Sequence, residues 1–376
     1  MLEGVRNLYL LVAGDCNLTC AYCYAQRGSF GGGSGAMSPE TLRTALERFV
    51  PTDGTLVVSF FGGEPLLELD LLRQAVAWGD ALGAERRTRL HYVLTTNGTL
   101  LDDARLDFLK AHVSHIAVSL DGGPAMTDAS RRFRVGEESV HRAVVRNLRR
   151  LKRAGVRYGL RSTIPEGRAE ELGAAAAHLQ GLEPASLRIE AAAGAKPWRR
   201  DHWRAWTEMV TRLNRNALDG IIAGEPPNAC GDIYRVAAHR IEGEARHYPC
   251  LAGQGVLAVS TGGDVYPCDH FVGEPSFRMG NVHEPGFPGE DYYRIAERLQ
   301  LNRVSDRPKC AICRVRHACG GECPALSLLR QGDIAEPSPS HCSHTRHVLG
   351  KLGTLVDAAL ADQVARERLT AFVKGE

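Results

Sequence analysis

Eleven cysteines in 376 residues fall into groups rather than pairs. Three stand at positions 16, 20 and 23, one at 230, and seven between 250 and 342. The count is odd, so pairing within one chain leaves a thiol over. Short fixed spacings such as Cys16-x3-Cys20-x2-Cys23 bring thiols to one point, as a metal centre requires. From Cys250 to Cys342 glycine, proline and cysteine are frequent and helical periodicity is weak. Such a stretch has difficulty building a core without metal.

The rest of the composition narrows the setting. The 46 basic residues nearly balance 44 acidic ones, so nothing points to a nucleic-acid partner. The first apolar run, Leu8 to Gly14, is far short of the roughly 20 residues that span a bilayer. It has no basic flank and no small-residue cleavage site, so neither a membrane span nor a signal peptide is expected. A cytoplasmic location is expected, where disulfides rarely persist.

Between residues 7 and 191 apolar runs alternate with amphipathic stretches. Strands are predicted at Asn7–Ala13, Leu56–Phe61, His91–Thr96, His115–Leu120, Arg157–Thr163 and Ser186–Ala191. Helices are predicted near 39–50, 68–83, 102–111, 138–155 and 168–180, the first with Ser38 as N-cap and Pro39 at its first position. Six strands with intervening helices imply an α/β fold with parallel strands and a site at their C-terminal ends. A helix follows from Asp201 to about Ile222, where Trp198, Trp203 and Trp206 read as packing residues. Residues 344–372 resume a helical pattern.

The unusual residues sit at the strand ends. Cys16-Asn17-Leu18-Thr19-Cys20-Ala21-Tyr22-Cys23 follows the first strand, and three thiolates leave one iron of a [4Fe–4S] cluster open. Gly62-Gly63-Glu64-Pro65 follows the second strand and Thr95-Thr96-Asn97-Gly98 the third. Ser119-Leu120-Asp121-Gly122 follows the fourth, and Arg161 ends the fifth. Taken in order, these motifs resemble the radical S-adenosylmethionine (SAM) superfamily. The resemblance implies that an electron from the cluster cleaves SAM to a 5′-deoxyadenosyl radical. It implies that the Gly62–Pro65 backbone and Glu64 meet the SAM amino group and that Asn97, Ser119 and Asp121 contact SAM. Arg161 would meet its carboxylate. Zinc is the alternative for the cysteine trio, but it would want a fourth local ligand.

The later cysteines run Cys250, Gly263, Cys268, then Cys310, Cys313, Cys319, Cys323, then Cys342. Every spacing is similar to that of the SPASM domain of peptide-modifying radical SAM enzymes. The resemblance implies one auxiliary [4Fe–4S] cluster on Cys310, Cys313, Cys319 and Cys342, and another on Cys250, Cys268 and Cys323, for three clusters in all. A zinc ribbon is the alternative for the C-x2-C pair. Cys230 is a candidate fourth ligand of the second set, or that iron stays open to a substrate thiolate, or Cys230 is a buried thiol without a role.

The expected architecture is therefore a partial (β/α)6 radical SAM barrel over 1–191, a bridging helical region over 192–245, a small cysteine-rich SPASM domain over 246–345, and a C-terminal helix over 346–376. The stretch from Tyr22-Cys23-Tyr24-Ala25 through Met37-Ser38 to Phe60-Phe61-Gly62-Gly63-Glu64-Pro65 most resembles maturases that crosslink ribosomal peptides, above all the thioether-forming branch. That implies hydrogen abstraction from a peptide or protein and an oxidative crosslink, thioether or carbon–carbon. An electron donor such as flavodoxin or ferredoxin is implied as well. The motif begins at residue 16, so no leader-binding domain is expected and a separate leader-binding protein is a candidate partner. Formylglycine formation on a sulfatase is the enzymatic alternative. That branch tends to carry another cysteine shortly after the place of Cys250, where this chain has Leu251 to Val256. A non-catalytic iron–sulfur scaffold or redox sensor is the alternative of another class, but it has no use for Glu64 or Arg161.

Two carboxylates remain. In sulfatase-maturating relatives an aspartate at the place of Asp269 takes a proton from the substrate; here it is that base or a structural carboxylate capping local amides. Glu190, at the end of the sixth strand, is a substrate contact or an ordinary strand-end carboxylate. The fourteen histidines form no ligand-spaced group.

Overall fold

A computed structural model of the chain describes residues 4–31, 35–194, 198–225 and 231–375, and Cys230 lies outside them. Its strands are β1 (Asn7–Ala13), β2 (Leu18–Cys20), β3 (Gly54–Gly62), β4 (Thr88–Thr96), β5 (Val113–Ser119), β6 (Arg131–Phe133), β7 (Tyr158–Ile164), β8 (Ser186–Ala191), β9 (Val256–Val259) and β10 (Val265–Tyr266). The chain divides into two compact units. One runs to Arg161 and includes Leu251–Leu301; the other holds Ser162–Cys250 and Asn302 onward.

In the first unit β1, β3, β4, β5 and β7 run parallel in that order, with Leu10 opposite Phe60 and Ser119 opposite Arg161. Parallel strands need apolar side chains on both faces, because helices cover both. β1 meets that demand: Leu8, Leu10, Leu11 and Val12 are all buried. The helix Pro39–Phe49 starts as its sequence dictates, with Ser38 Oγ accepting from Thr41 N at 3.0 Å and Pro39 in its first turn. It buries Leu42, Ala45, Leu46 and Phe49. Two of the six strands expected from the sequence coincide with observed ones, and the other four differ only at their ends. β9 was not foreseen. It lies parallel to β1 on the side away from β3, Asn7 opposite Val256, and β10 turns back against it. Four residues inside a cysteine-rich stretch carry too little periodicity to announce a strand.

In the second unit the helices Arg200–Ala223, Gly231–Ile241, Pro339–Ala359 and Gln363–Lys374 share one core, with Leu218, Ile233, Val236, Leu352 and Leu369 buried in it. Trp206 is buried, Trp198 packs edge-on against Trp203 and Trp206, and Trp203 Nε1 donates to Ser340 O at 2.5 Å. The tryptophans are thus packing residues, as their sequence context suggested. The helical stretch expected over 344–372 is two helices, the second capped by Asp362, whose carboxylate accepts from Ala365 N at 2.9 Å. β8 follows the tail of β7, where Ala192 N donates to Ile164 O at 2.8 Å. Among the described residues no helix is long and apolar enough to cross a membrane.

Candidate active site

The loop after β1 carries the first three cysteines and is clamped from one side. β2 pairs antiparallel with β6, Leu18 opposite Phe133 and Cys20 opposite Arg131. Ala21 N donates to Ser130 O at 2.9 Å, and Arg134 N to Asn17 O at 3.0 Å. Arg134 Nη1 reaches both oxygens of Asp15, at 2.7 and 2.8 Å, and Asp15 Oδ1 accepts from Cys16 N at 2.8 Å.

Hydrogen-bond donors face two of the three sulfurs. Leu18 N points at Cys16 Sγ from 3.4 Å, Asn97 Nδ2 at the same sulfur from 3.7 Å, and Arg27 N at Cys23 Sγ from 3.2 Å. Burial still pushes the Cys16 thiol up to about 12, and the Cys20 thiol is also raised by burial, against the pull of the Arg131 charge. Amide donors aimed at sulfur, in a place where a bare thiolate is disfavoured, suit a metal cluster, whose positive charge supplies the missing stabilisation. None of the ten described cysteines is in a disulfide.

The strand-end motifs meet beneath this loop. Gly62 has φ +125°, and a Cβ on Gly63 would lie 2.0 Å from the Asp15 carbonyl oxygen, so the β3 end slides under the cysteine loop only without side chains. Glu64 is completely buried. Its carboxylate accepts from Leu66 N at 3.0 Å, Thr96 Oγ1 at 2.8 Å and Asn97 N at 2.7 Å, tying the end of β3 to the end of β4. Burial raises its pKa, and these donors hold it back. Pro65 opens the short turn that Glu64 caps. Asn97 extends the network to Asn17 Oδ1 at 2.8 Å. Asn17 Nδ2 in turn donates to Thr99 Oγ1 at 2.9 Å, and neither of these two residues was singled out for a role in the sequence.

Asp121 is wholly buried in a two-point ion pair with Arg131, Nε to Oδ2 and Nη2 to Oδ1, each 3.0 Å. It also accepts from the Tyr22 hydroxyl. Arg131 lies over the Tyr22 ring and its charge favours the Cys20 thiolate. The pair therefore holds the aromatic residue and the cation that flank Cys20. Ser119 sits opposite Arg161 in the β5–β7 register, and Leu120 N donates to Arg161 O at 2.9 Å.

A second group faces the same charges. The Tyr24 hydroxyl donates to Asp269 Oδ2 at 2.7 Å, and its ring stacks on His270 with centroids 4.5 Å apart. Burial around the hydroxyl and the Asp269 charge push Tyr24 well above its usual pKa, while the Arg161 charge works the other way. Tyr9, on β1, is raised to about 12 by burial and by Asp269, again against Arg161. Asp269 thus shares one electrostatic neighbourhood with Tyr9, Tyr24, Arg161 and Cys268. The sequence singled out Asp269, Arg161 and Cys268; the tyrosines had no signal beyond their place in β1 and beside Cys23. Glu190, in the second unit, is ion-paired to Arg188 two residues away at 2.6 Å.

Within the second unit Cys310, Cys313, Cys319 and Cys342 line one hollow of about 300 Å³. Gly321 N donates to Cys319 Sγ at 3.3 Å, and burial pushes Cys342 up to about 11. Four cysteines on one hollow are the donor set that a four-iron cluster takes. Cys250 and Cys323 also belong to the second unit, and Cys268 to the first.

Comparison with known proteins accords with this geometry. The model of the radical SAM superfamily matches residues 10–173, and that of the SPASM iron–sulfur cluster-binding domain matches residues 250–319. The chain is a radical SAM enzyme with a SPASM domain. It therefore works with SAM and iron–sulfur clusters. Similar proteins include the AdoMet-dependent heme synthase of Methanosarcina barkeri, 27% identical over 90% of this chain and 97% of that one. The serine-type anaerobic sulfatase-maturating enzyme of Bacteroides thetaiotaomicron is 25% identical over 87% of this chain and 85% of its own. Among solved structures, anSMEcpe with bound AdoMet superposes with a TM-score of 0.81 at 17% identity, covering 95% of this chain and 100% of that one. SuiB of Streptococcus suis bound to the precursor peptide SuiA gives 0.60 at 15% identity, covering 90% and 76%. At these identities the superpositions speak for the fold of this radical SAM/SPASM enzyme.

Proposed function

We propose that the enzyme matures a peptide or protein by taking a hydrogen atom from a substrate carbon and completing a two-electron oxidation that yields a crosslink. The observation that carries this reading is Asp269, held by the Tyr24 hydroxyl at 2.7 Å beside Cys268. With SAM and its cluster bound, the site has an oxidant able to take hydrogen from carbon. Cys16, Cys20 and Cys23 hold that cluster in this reading. The Gly62–Pro65 backbone, Asn97, Ser119, Asp121 and Arg161 order the SAM pocket, Glu64 and Asp121 chiefly by fixing their neighbours. Asp269 accepts the proton that the oxidised substrate sheds, and Tyr24 fixes its orientation. Glu190 is a candidate substrate contact. Cys250, Cys268 and Cys323, and separately Cys310, Cys313, Cys319 and Cys342, would hold two further clusters, one of which would supply the acceptor for the substrate's second electron, and a flavodoxin or ferredoxin would be the electron donor. In this reading the enzyme works in the cytoplasm, where disulfides rarely persist.

Formylglycine formation is the second reading, favoured by the same Asp269 and by the sulfatase-maturating relatives. Reconstituted enzyme, SAM and dithionite are mixed with short peptides carrying Cys, Ser, Tyr and Trp, and products are read by mass spectrometry and by reaction with a hydrazide. A peptide lighter by two hydrogens and inert to hydrazide is expected. A hydrazide-reactive aldehyde selects the second reading. Conversion of an added iron porphyrin, with every peptide untouched, overturns both in favour of chemistry like that of the heme-synthase relatives.

A further inference from the structure

Among the described residues Arg307 is the largest side chain buried to this depth, with 2% of its surface exposed. It precedes the short helix Pro308–Ala311. Its Nε donates to Asn302 Oδ1 at 2.6 Å and its Nη2 to the Asn302 carbonyl at 3.2 Å, both uncharged acceptors. Its Nη1 is buried with no hydrogen-bond partner. The buried carboxylate of this region, Glu322, is already engaged by Arg330 Nη1 at 2.9 Å and by Ser338 Oγ at 2.9 Å. An arginine cannot relieve such a site by losing its proton. A buried cation without an anion is a costly arrangement, and it persists where something else supplies the charge.

The surroundings show where that charge belongs. Burial lowers the Arg307 pKa, and the charges that oppose it are those of Cys310, Cys319 and Cys250 as thiolates. The Cys310 thiol, raised by burial, is drawn back by the charge of Arg307. Gly321 has φ +98°, and a Cβ there would stand 2.6 Å from Arg307 Nη1. The same glycine lines the four-cysteine hollow and donates its N–H to Cys319 Sγ at 3.3 Å. The missing side chain at Gly321 is thus what lets the guanidinium lie against the wall of the hollow.

We propose that Arg307 is the buried counter-charge of the cluster held by Cys310, Cys313, Cys319 and Cys342, and that it sets that cluster's reduction potential. The inference rests on the assignment of those four cysteines to one cluster. Four thiolates outweigh the positive charge of a four-iron core, so the assembled centre is an anion. One-electron reduction adds a further negative charge and makes or breaks no bond. A cation fixed nearby in a medium of low dielectric stabilises the reduced form more than the oxidised one, and so raises the potential. Arg307 is a positioning residue in this role, acting through the cluster and not on substrate.

The test is an EPR-monitored dithionite titration of the reconstituted full-length enzyme and its Arg307→Met and Arg307→Lys variants, with iron counted in each. In Arg307→Met one auxiliary signal is expected to move down by at least 59 mV, a tenfold change in its one-electron equilibrium. The SAM-cluster signal and the iron count stay in place, and Arg307→Lys recovers at least half of the shift. An unchanged potential in Arg307→Met with full iron overturns the proposal. If the Met variant loses the cluster, the Lys variant decides: a cluster at near-normal potential upholds the charge role, and loss there too makes Arg307 a packing residue and overturns it. A wild-type protein with no auxiliary signal at all overturns the four-cysteine assignment instead.

Discussion

Tyr24 and Asp269 are joined hydroxyl to carboxylate at 2.7 Å across 245 residues of sequence. The tyrosine follows the last cysteine of the first trio, and the aspartate follows Cys268. One contact therefore fixes the proposed proton acceptor relative to the loop expected to hold the SAM cluster.

Asp269→Asn is expected to keep 5′-deoxyadenosine formation and to lower substrate oxidation by about a hundredfold to ten-thousandfold, the range for removing a general base. Tyr24→Phe removes a hydrogen bond to a charged group, worth about 1.5–3 kcal/mol, and should cost about tenfold to a hundredfold. Parallel chromatography of 5′-deoxyadenosine and of the modified substrate checks both. Equal loss of the two products in Asp269→Asn would show that the carboxylate serves SAM binding instead.

Replacing Cys16, Cys20 and Cys23 together by Ala should abolish 5′-deoxyadenosine formation and remove about four of about twelve irons. Iron analysis alongside the product assay reads this. Continued SAM cleavage in the triple variant would move the catalytic cluster elsewhere in the chain.

Asp121→Asn leaves the buried Arg131 guanidinium without its counter-charge, and the expected loss is about 3–5 kcal/mol of stability. Adding Arg131→Met should recover most of it, because the pair is removed together. Guanidinium denaturation of the three proteins gives the comparison. A single variant as stable as the parent would mean that the ion pair is not formed in solution.

These residues also show what a sequence discloses and what it withholds. The six strands, the Ser38 cap and the strand-end motifs were legible because each is local: an apolar run, a cap or a Gly-Gly turn is written in consecutive residues. Arg131 was not. It stands in Arg131-Arg132-Phe133-Arg134, one basic stretch among many, and its meaning comes from pairing with β2, more than a hundred residues away. Tyr24 was hidden for the same reason. Asp121 was read as a SAM contact, and its burial in an ion pair with Arg131 could not be read from Ser119-Leu120-Asp121-Gly122. The cysteine spacing announced metal, but the gathering of Cys310, Cys313, Cys319 and Cys342 around one hollow is a tertiary fact. Arg307, alone and unpatterned, gave no sign.

Cys230 remains a proposal from sequence. If the cluster of Cys250, Cys268 and Cys323 keeps an iron open to a substrate thiolate, Cys230→Ala retains about twelve irons and full activity. Loss of about four irons in that variant would make Cys230 the fourth ligand.

β1 lies between β3 and β9, and its two neighbours are made at very different times. β3 is complete by Gly62, but β9 starts only at Val256. At about 5–20 residues per second a ribosome needs roughly 10–40 s to go from one strand to the other. Through that interval β1 offers a bare row of amide and carbonyl groups next to the loop of Cys16, Cys20 and Cys23. An open edge of that kind is a template for pairing with another chain. The nascent protein must therefore be shielded until its late strand arrives, and whatever delivers iron to the first three cysteines meets a half-built sheet if it comes early.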